Sequence, residues 1–139
     1  MDVIHAALWV SDLEQTVDFY CNGLALEEHW EFTADGIKNL YVGGEHGEIQ
    51  FKSNTDNPPA ADTTGDVGSD DASDDASPSR GFDHLAIGVD SVDSAFDMLT
   101  SRFDPPVVKP PTTVERIGLR IAFVEDPDGH VVELVEALD

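Results

Sequence analysis

The chain has 139 residues, about one domain with a segment to spare, and 40% are hydrophobic, which excludes wholesale disorder. Asp and Glu number 29 against 7 Lys and Arg, and the formal net charge of −22 excludes nucleic acid and anionic membranes as partners, because both would repel it. Such acidity reads as a solvated surface of the halophilic type, with a cation-collecting face as the other reading.

The start, Met-Asp-Val-Ile-His, has neither a basic region nor a long apolar run, so no signal peptide is expected. No stretch approaches the roughly 18 consecutive apolar residues of a membrane span. The single cysteine, Cys21, has no internal partner for a disulfide, which fits a reducing, cytoplasmic setting.

The first element expected is a strand from Ile4 to Val10, followed by a helix. Ser11 and Glu14 have capping-box spacing, and Leu13, Val17, Tyr20 and Leu24 fall on one helical face. Strands are expected at Gly36 to Val42 and at Gly47 to Lys52. From Thr55 to Ser79 the chain carries seven Asp, three Pro and no aromatic residue. That composition cannot offset the entropy of ordering, so residues 55–81 are expected to be an acidic flexible linker.

A second strand–helix pair then begins at His84. Placed over His5 at a constant offset of 79, it repeats His, Ala, Val and Asp at four positions. Val92, Phe96, Leu99 and Phe103 form its helical face. Val107 to Thr113, stiffened by Pro110 and Pro111, is expected as loop or edge. Strands at Leu119 to Val124 and Val131 to Val135 follow, joined by the turn Asp126-Pro127-Asp128-Gly129. The chain therefore reads as an internal duplication: residues 1–54 and 82–139 are two βαβββ modules of one α+β domain.

Strand parity singles out four polar residues. Side chains alternate between the two faces of a strand, and the large apolar face must pack on the helices. Ile4, Leu8 and Val10 then face one way and His5, Ala7 and Trp9 the other. Leu85, Ile87 and Val89 oppose His84, Ala86 and Gly88. Ile49 and Phe51 oppose Gln50, and Val132 and Leu134 oppose Glu133. Taken singly, such a His is usually a hydrogen-bonded structural residue, and such a Gln or Glu faces solvent. Together, His5, Gln50, His84 and Glu133 occupy equivalent places in two repeats. Two imidazoles, an amide oxygen and a carboxylate suit a first-row divalent metal with positions open for substrate.

Three segments carry a family resemblance: His5-x4-Val-x-Asp-Leu-x4-Asp-Phe-Tyr20, Gly81-Phe-Asp-His-Leu-Ala-Ile-Gly-Val-Asp90, and Ala122-Phe-Val-Glu-Asp-Pro-Asp-Gly-His-Val-Val-Glu-Leu134. Through them the sequence resembles the vicinal oxygen chelate superfamily and, within it, glyoxalase I (lactoylglutathione lyase). The resemblance covers the chain except Thr55 to Ser79. It implies that the two modules form a curved, partly open mixed-sheet barrel around a metal (Ni, Zn, Co or Mn) held by His5, Gln50, His84 and Glu133. It also implies a homodimer and a small-molecule substrate. The reaction implied is isomerisation of the hemithioacetal of methylglyoxal and a thiol, with Glu133 as the base.

Many glyoxalase I sequences carry Glu where Gln50 stands. The set His, Gln, His, Glu is also that of methylmalonyl-CoA epimerase, the runner-up. That enzyme needs a further carboxylate, whose place falls near Thr33 or Ala34, and neither is acidic. For the thiol, glutathione or γ-glutamylcysteine, Asn54 and Arg80 match two positions that hold the γ-glutamyl end in relatives. Trp9 stands where an Arg is usual. A drug-binding member of the fold without turnover is the third class; it leaves four ligand-like residues without a role.

Overall fold

A computed structural model describes Met1, residues 3–54 and residues 81–139. The acidic stretch from Thr55 to Ser79, and Arg80, lie outside the described residues.

The first half runs β1 (His5–Trp9), α1 (Leu13–Val17), a π-helical turn (Asp18–Gly23), β2 (Glu27–Ala34), β3 (Ile37–Gly43) and β4 (Glu48–Asn54). The second runs β5 (Leu85–Gly88), α2 (Val92–Phe103), β6 (Val107–Val114), a 3-10 turn (Glu115–Ile117), β7 (Leu119–Glu125) and β8 (Val131–Ala137). Both halves are therefore βαβββ, as the duplication requires. The two four-stranded sheets have the same order, β1-β4-β3-β2 and β5-β8-β7-β6. In each, the first strand pairs in parallel with the last, and the hairpin strands pair antiparallel. A parallel pair needs a long crossover, which the intervening helix and two strands supply.

By contacts the chain forms two compact units. One holds Met1–Leu13 and the described part of His29–Asp83; the other holds Glu14–Glu28 and His84–Asp139. In the first, Leu8, Val10, Ile49 and Phe51 are buried, the packing side chains expected of β1 and β4, together with Leu40, Tyr41 and Val42 of β3. Ile4 departs from that expectation. The paired register begins at His5 opposite Glu48, so Ile4 lies beyond the sheet and is exposed.

In the second unit, Val92 and Leu99 on α2 are buried with Ile87, Ile121, Val124, Val132 and Leu134. Burying one such side chain contributes about 1.5–3 kcal/mol. The start of α2 is fixed twice. Ser91 Oγ accepts from the Ser94 amide at 3.2 Å, and the Glu136 carboxylate on β8 accepts from the Val92 amide at 2.8 Å. The other helical segment departs from the regular face expected of it. Its last turn widens to π geometry, with Leu24 N–H bonding Phe19 C=O at 3.1 Å. The buried residues become Thr16, Phe19, Tyr20 and Leu24, while Leu13 and Val17 are only half-buried. Gly23 ends this turn against α2: a Cβ there would stand 2.9 Å from Leu99 Cδ2.

β6 is an edge strand with two register irregularities, at Val107/Lys109 and Lys109/Thr112. An edge accommodates Pro110 and Pro111, which have no N–H to donate.

Candidate active site

In the first unit, register places side chains of one face in rows across β1, β4 and β3. His5, Glu48 and Gly43 form one row, Ala7, Gln50 and Tyr41 the next, and Trp9, Lys52 and Asn39 the third. His5 and Gln50 are thus on neighbouring strands, one row apart. The small Ala7 between them leaves space above the sheet.

The second unit repeats this placement. Ala86, Glu133 and Phe123 form one row across β5, β8 and β7. His84 lies just before β5, two residues ahead of Ala86, as His5 lies two residues ahead of Ala7, the partner of Gln50. His84 Nε2 and Glu133 Oε1 are 3.0 Å apart. Two donors at right angles, each about 2.1 Å from a first-row metal, stand about 3.0 Å apart. The pair's donor chemistry suits two adjacent ligand positions, and its spacing is equally that of an imidazole–carboxylate hydrogen bond. Among the described residues, no three His, Cys, Asp or Glu side chains stand together as a group that could hold one. The four donors come as two pairs, one in each unit.

Two aromatic residues that parity did not single out complete the repeat. His5 meets the Tyr41 ring edge to face at 5.3 Å between centroids, and His84 meets Phe123 likewise at 5.5 Å. Tyr41 lies opposite Gln50 and Phe123 opposite Glu133. His84 thus stands between the Glu133 carboxylate and the Phe123 ring, and His5 against the Tyr41 ring. Only the hairpin register reveals these partners, because Tyr41 and Phe123 read in sequence as ordinary strand hydrophobes. Trp30 stacks on Tyr41 at 4.1 Å, and Phe32 on Trp30 at 5.6 Å, extending the aromatic lining onto β2.

Gln50 is buried, and its Nε2 donates to Asn39 Oδ1 at 2.8 Å. Lys52 Nζ donates to the same oxygen at 2.9 Å and lies 5.3 Å from the centre of the Trp9 ring. Trp9 is therefore on the donor face, as parity requires, with a cation against it. Asn54 ends β4 opposite Ile37. Thr33 and Ala34 lie on β2, beyond β3 from Gln50, and the neighbour across from Gln50 is Tyr41 rather than a carboxylate.

The turn after β7 has a centre that sequence reading treated only as turn chemistry. Asp126, 4% exposed, accepts from the amides of Asp128 and His130 at 2.9 Å and from Tyr20 Oη at 2.8 Å. Its Oδ2 also lies 3.0 Å from His130 Nδ1, and this bond holds the His130 pKa above its ordinary value. Burial, reinforced by Asp126, keeps the Tyr20 phenol protonated well beyond the usual range. Burial, with Glu28 nearby, pushes the Cys21 thiol up to about 11, so it is no thiolate near neutrality. Beside this turn a cleft of about 620 Å³ is lined in part by Asp18, Arg102, Asp104, Glu125 and Asp128. It contains none of the four donors, and its carboxylates disfavour an anionic thiol.

Comparison with known proteins agrees with this architecture. Residues 3–134 match the family described as the Glyoxalase/Bleomycin resistance protein/Dioxygenase superfamily. A probable lactoylglutathione lyase of Synechocystis sp. is 28% identical, over 98% of this chain and 95% of that one. A probable lactoylglutathione lyase of Vibrio cholerae is 27% identical, over 96% and 89%. In fold, the chain matches the crystal structure of glyoxalase I from Zea mays with a TM-score of 0.72 at 20% identity, covering 98% of this chain and 44% of that one. With the repeated modules, the shared strand order and the recurring His-centred pairs, the chain belongs to the vicinal oxygen chelate superfamily, on its glyoxalase I-like branch.

Proposed function

We propose that this protein is a metal-dependent lyase that isomerises the hemithioacetal of methylglyoxal and a low-molecular-weight thiol to a 2-hydroxyacyl thioester. The observation that carries the reading is one placement found in both sheets, an imidazole two residues before the strand partner of an oxygen donor: His5 before Ala7, opposite Gln50, and His84 before Ala86, opposite Glu133. His5, Gln50, His84 and Glu133 would hold one divalent ion (Ni, Zn, Co or Mn) within a partly open barrel, and the working form would be a homodimer. When bound, that ion supplies positive charge to stabilise negative charge developing on the substrate oxygens. Glu133 takes the proton from the carbon bearing oxygen and sulfur and returns it to the neighbouring carbon, while the hydroxyl proton passes to the neighbouring oxygen, so the isomerisation needs no outside oxidant or reductant. His84 Nε2, 3.0 Å from this carboxylate, would be the neighbouring donor to the same ion. Trp9, Asn54 and Arg80 would meet the thiol, glutathione or γ-glutamylcysteine. The names of the Synechocystis and Vibrio relatives support this substrate class.

Metal-loaded protein should be offered methylglyoxal with each thiol and, separately, methylmalonyl-CoA. Thioester formation that requires both aldehyde and thiol is the expected result. Inertness with every thiol together with epimerisation of methylmalonyl-CoA would transfer the assignment to the epimerase. His84→Ala should lose the ion, and full retention would overturn the donor set.

A further inference from the structure

We infer that Asn39, locked by Lys52, is a positioning residue that turns the Gln50 amide so that its oxygen is presented as a metal donor. The inference rests on the donor set proposed above. A carboxylate offers two equal oxygens in any orientation, but an amide has one end that ligates and one that does not. A glutamine donor therefore needs something to choose its orientation.

Asn39 Oδ1 receives both Gln50 Nε2, at 2.8 Å, and Lys52 Nζ, at 2.9 Å. An ammonium only donates, so the Asn39 group between them must be its oxygen. That oxygen in turn accepts only the NH2 end of Gln50, which leaves Oε1 as the end available to ligate. The Asn39 NH2 is used as well, donating to Ile37 C=O at 3.2 Å. Flipping Asn39 would set its NH2 against the Lys52 ammonium and the Ile37 carbonyl against Oδ1. Lys52 is held by the Trp9 ring, so the chain of control runs along one row of the sheet, from Trp9 through Lys52 to Asn39, and then to Gln50 in the adjacent row.

The other unit has no such relay. The row corresponding to Trp9, Lys52 and Asn39 is Gly88, Val135 and Ile121, which is apolar. There the donor is Glu133, whose ends are equivalent. The relay stands in the repeat whose donor is an amide, where orientation matters.

Full-length variants decide this. Asn39→Leu removes the acceptor at similar volume, and Asn39→Asp keeps acceptors toward both Gln50 and Lys52. Cobalt(II) titration, followed by the visible spectrum, measures the donor set directly. Loss of an outer partner of a ligand costs about 10–100-fold in metal affinity. Asn39→Leu is expected to lose that much and to change the cobalt spectrum, and Asn39→Asp to recover most of it. In the metal-free protein, the Gln50 side-chain amide protons, assigned by their absence in Gln50→Ala, should exchange slowly and should shift in Asn39→Leu. A folded Asn39→Leu with wild-type cobalt affinity and unchanged Gln50 amide signals overturns the inference. If Asn39→Leu does not fold, Lys52→Met serves: the released Asn39 amide should give the Gln50 amide more than one environment and weaken cobalt binding. One unchanged environment with wild-type affinity overturns it. Wild-type protein that takes up no cobalt would overturn the metal reading itself, whereas a cobalt-binding wild type indifferent to both changes overturns only the positioning role.

Discussion

Glu133 and Gln50 occupy equivalent rows of two sheets but differ by one atom type, and that difference separates their roles. Glu133 can accept a proton, whereas Gln50 can only donate a lone pair to a cation. Glu133→Gln keeps the size and the donor oxygen while removing the basic group. A general base is typically worth about 10²–10⁴-fold, so kcat should fall within that range while a measurable share of the bound metal remains. Metal-replete Glu133→Gln turning over the hemithioacetal at the wild-type rate would refute its assignment as base. The partners of these residues bear on the same point. Tyr41 and Phe123 hold the two imidazoles edge-on, an arrangement that neither residue announces in the sequence.

The β7–β8 connection is the element on which the second unit most visibly depends. One buried carboxylate, Asp126, gathers two amides of its own turn and the phenol of Tyr20, 106 residues away in the chain. Asp126→Ala would leave those donors without their acceptor in a buried place. Hydrogen bonds to a charged group are worth about 1.5–3 kcal/mol, and several are lost together, so destabilisation of at least about 2 kcal/mol is expected. Denaturant unfolding that moves by less than this would mean water replaces the carboxylate. His130 adds a pH dependence. Its folded pKa is raised by the Asp126 bond, so its contribution to stability is complete below about pH 6.5 and is lost as pH rises through the folded value. Melting temperatures of the wild type and His130→Asn should therefore converge on going from about pH 6 to pH 8. A difference that stays constant across this range would exclude the protonated His130–Asp126 pair.

For the molecule as a whole, 29 acidic residues against 7 basic ones make self-repulsion the leading electrostatic effect. Screening shortens from about 10 Å at 0.1 M salt to about 3 Å at 1 M, so the melting temperature should rise with sodium chloride over that interval. A flat or falling curve would show that the charges are too well solvated to oppose folding. The ion pairs present do not alter this expectation, because pairs such as Arg102 with Asp18 are exposed and worth little.

Much of the architecture was legible because it depends on short-range periodicity. Alternation along β1, β4, β5 and β8 is a property of neighbouring residues, and it separated the packing side chains from His5, Gln50, His84 and Glu133. Apolar spacing placed α2, and prolines placed β6 at an edge. β2 was not legible: Glu27–Ala34 has only Trp30 and Phe32 as large apolar residues, and all eight residues are exposed. The π-helical turn over Asp18–Gly23 was also hidden, since it changes no composition, and the buried residues are Thr16 and Phe19 rather than Leu13 and Val17. Register between strands is set by backbone hydrogen bonding across the sheet. Only the folded chain could therefore put Tyr41 beside Gln50, Tyr20 on Asp126, and Lys52 and Gln50 on the same oxygen of Asn39. Residue types along the strand select the candidate donors; which end of the Gln50 amide is tied down is decided by Asn39, a neighbour on another strand.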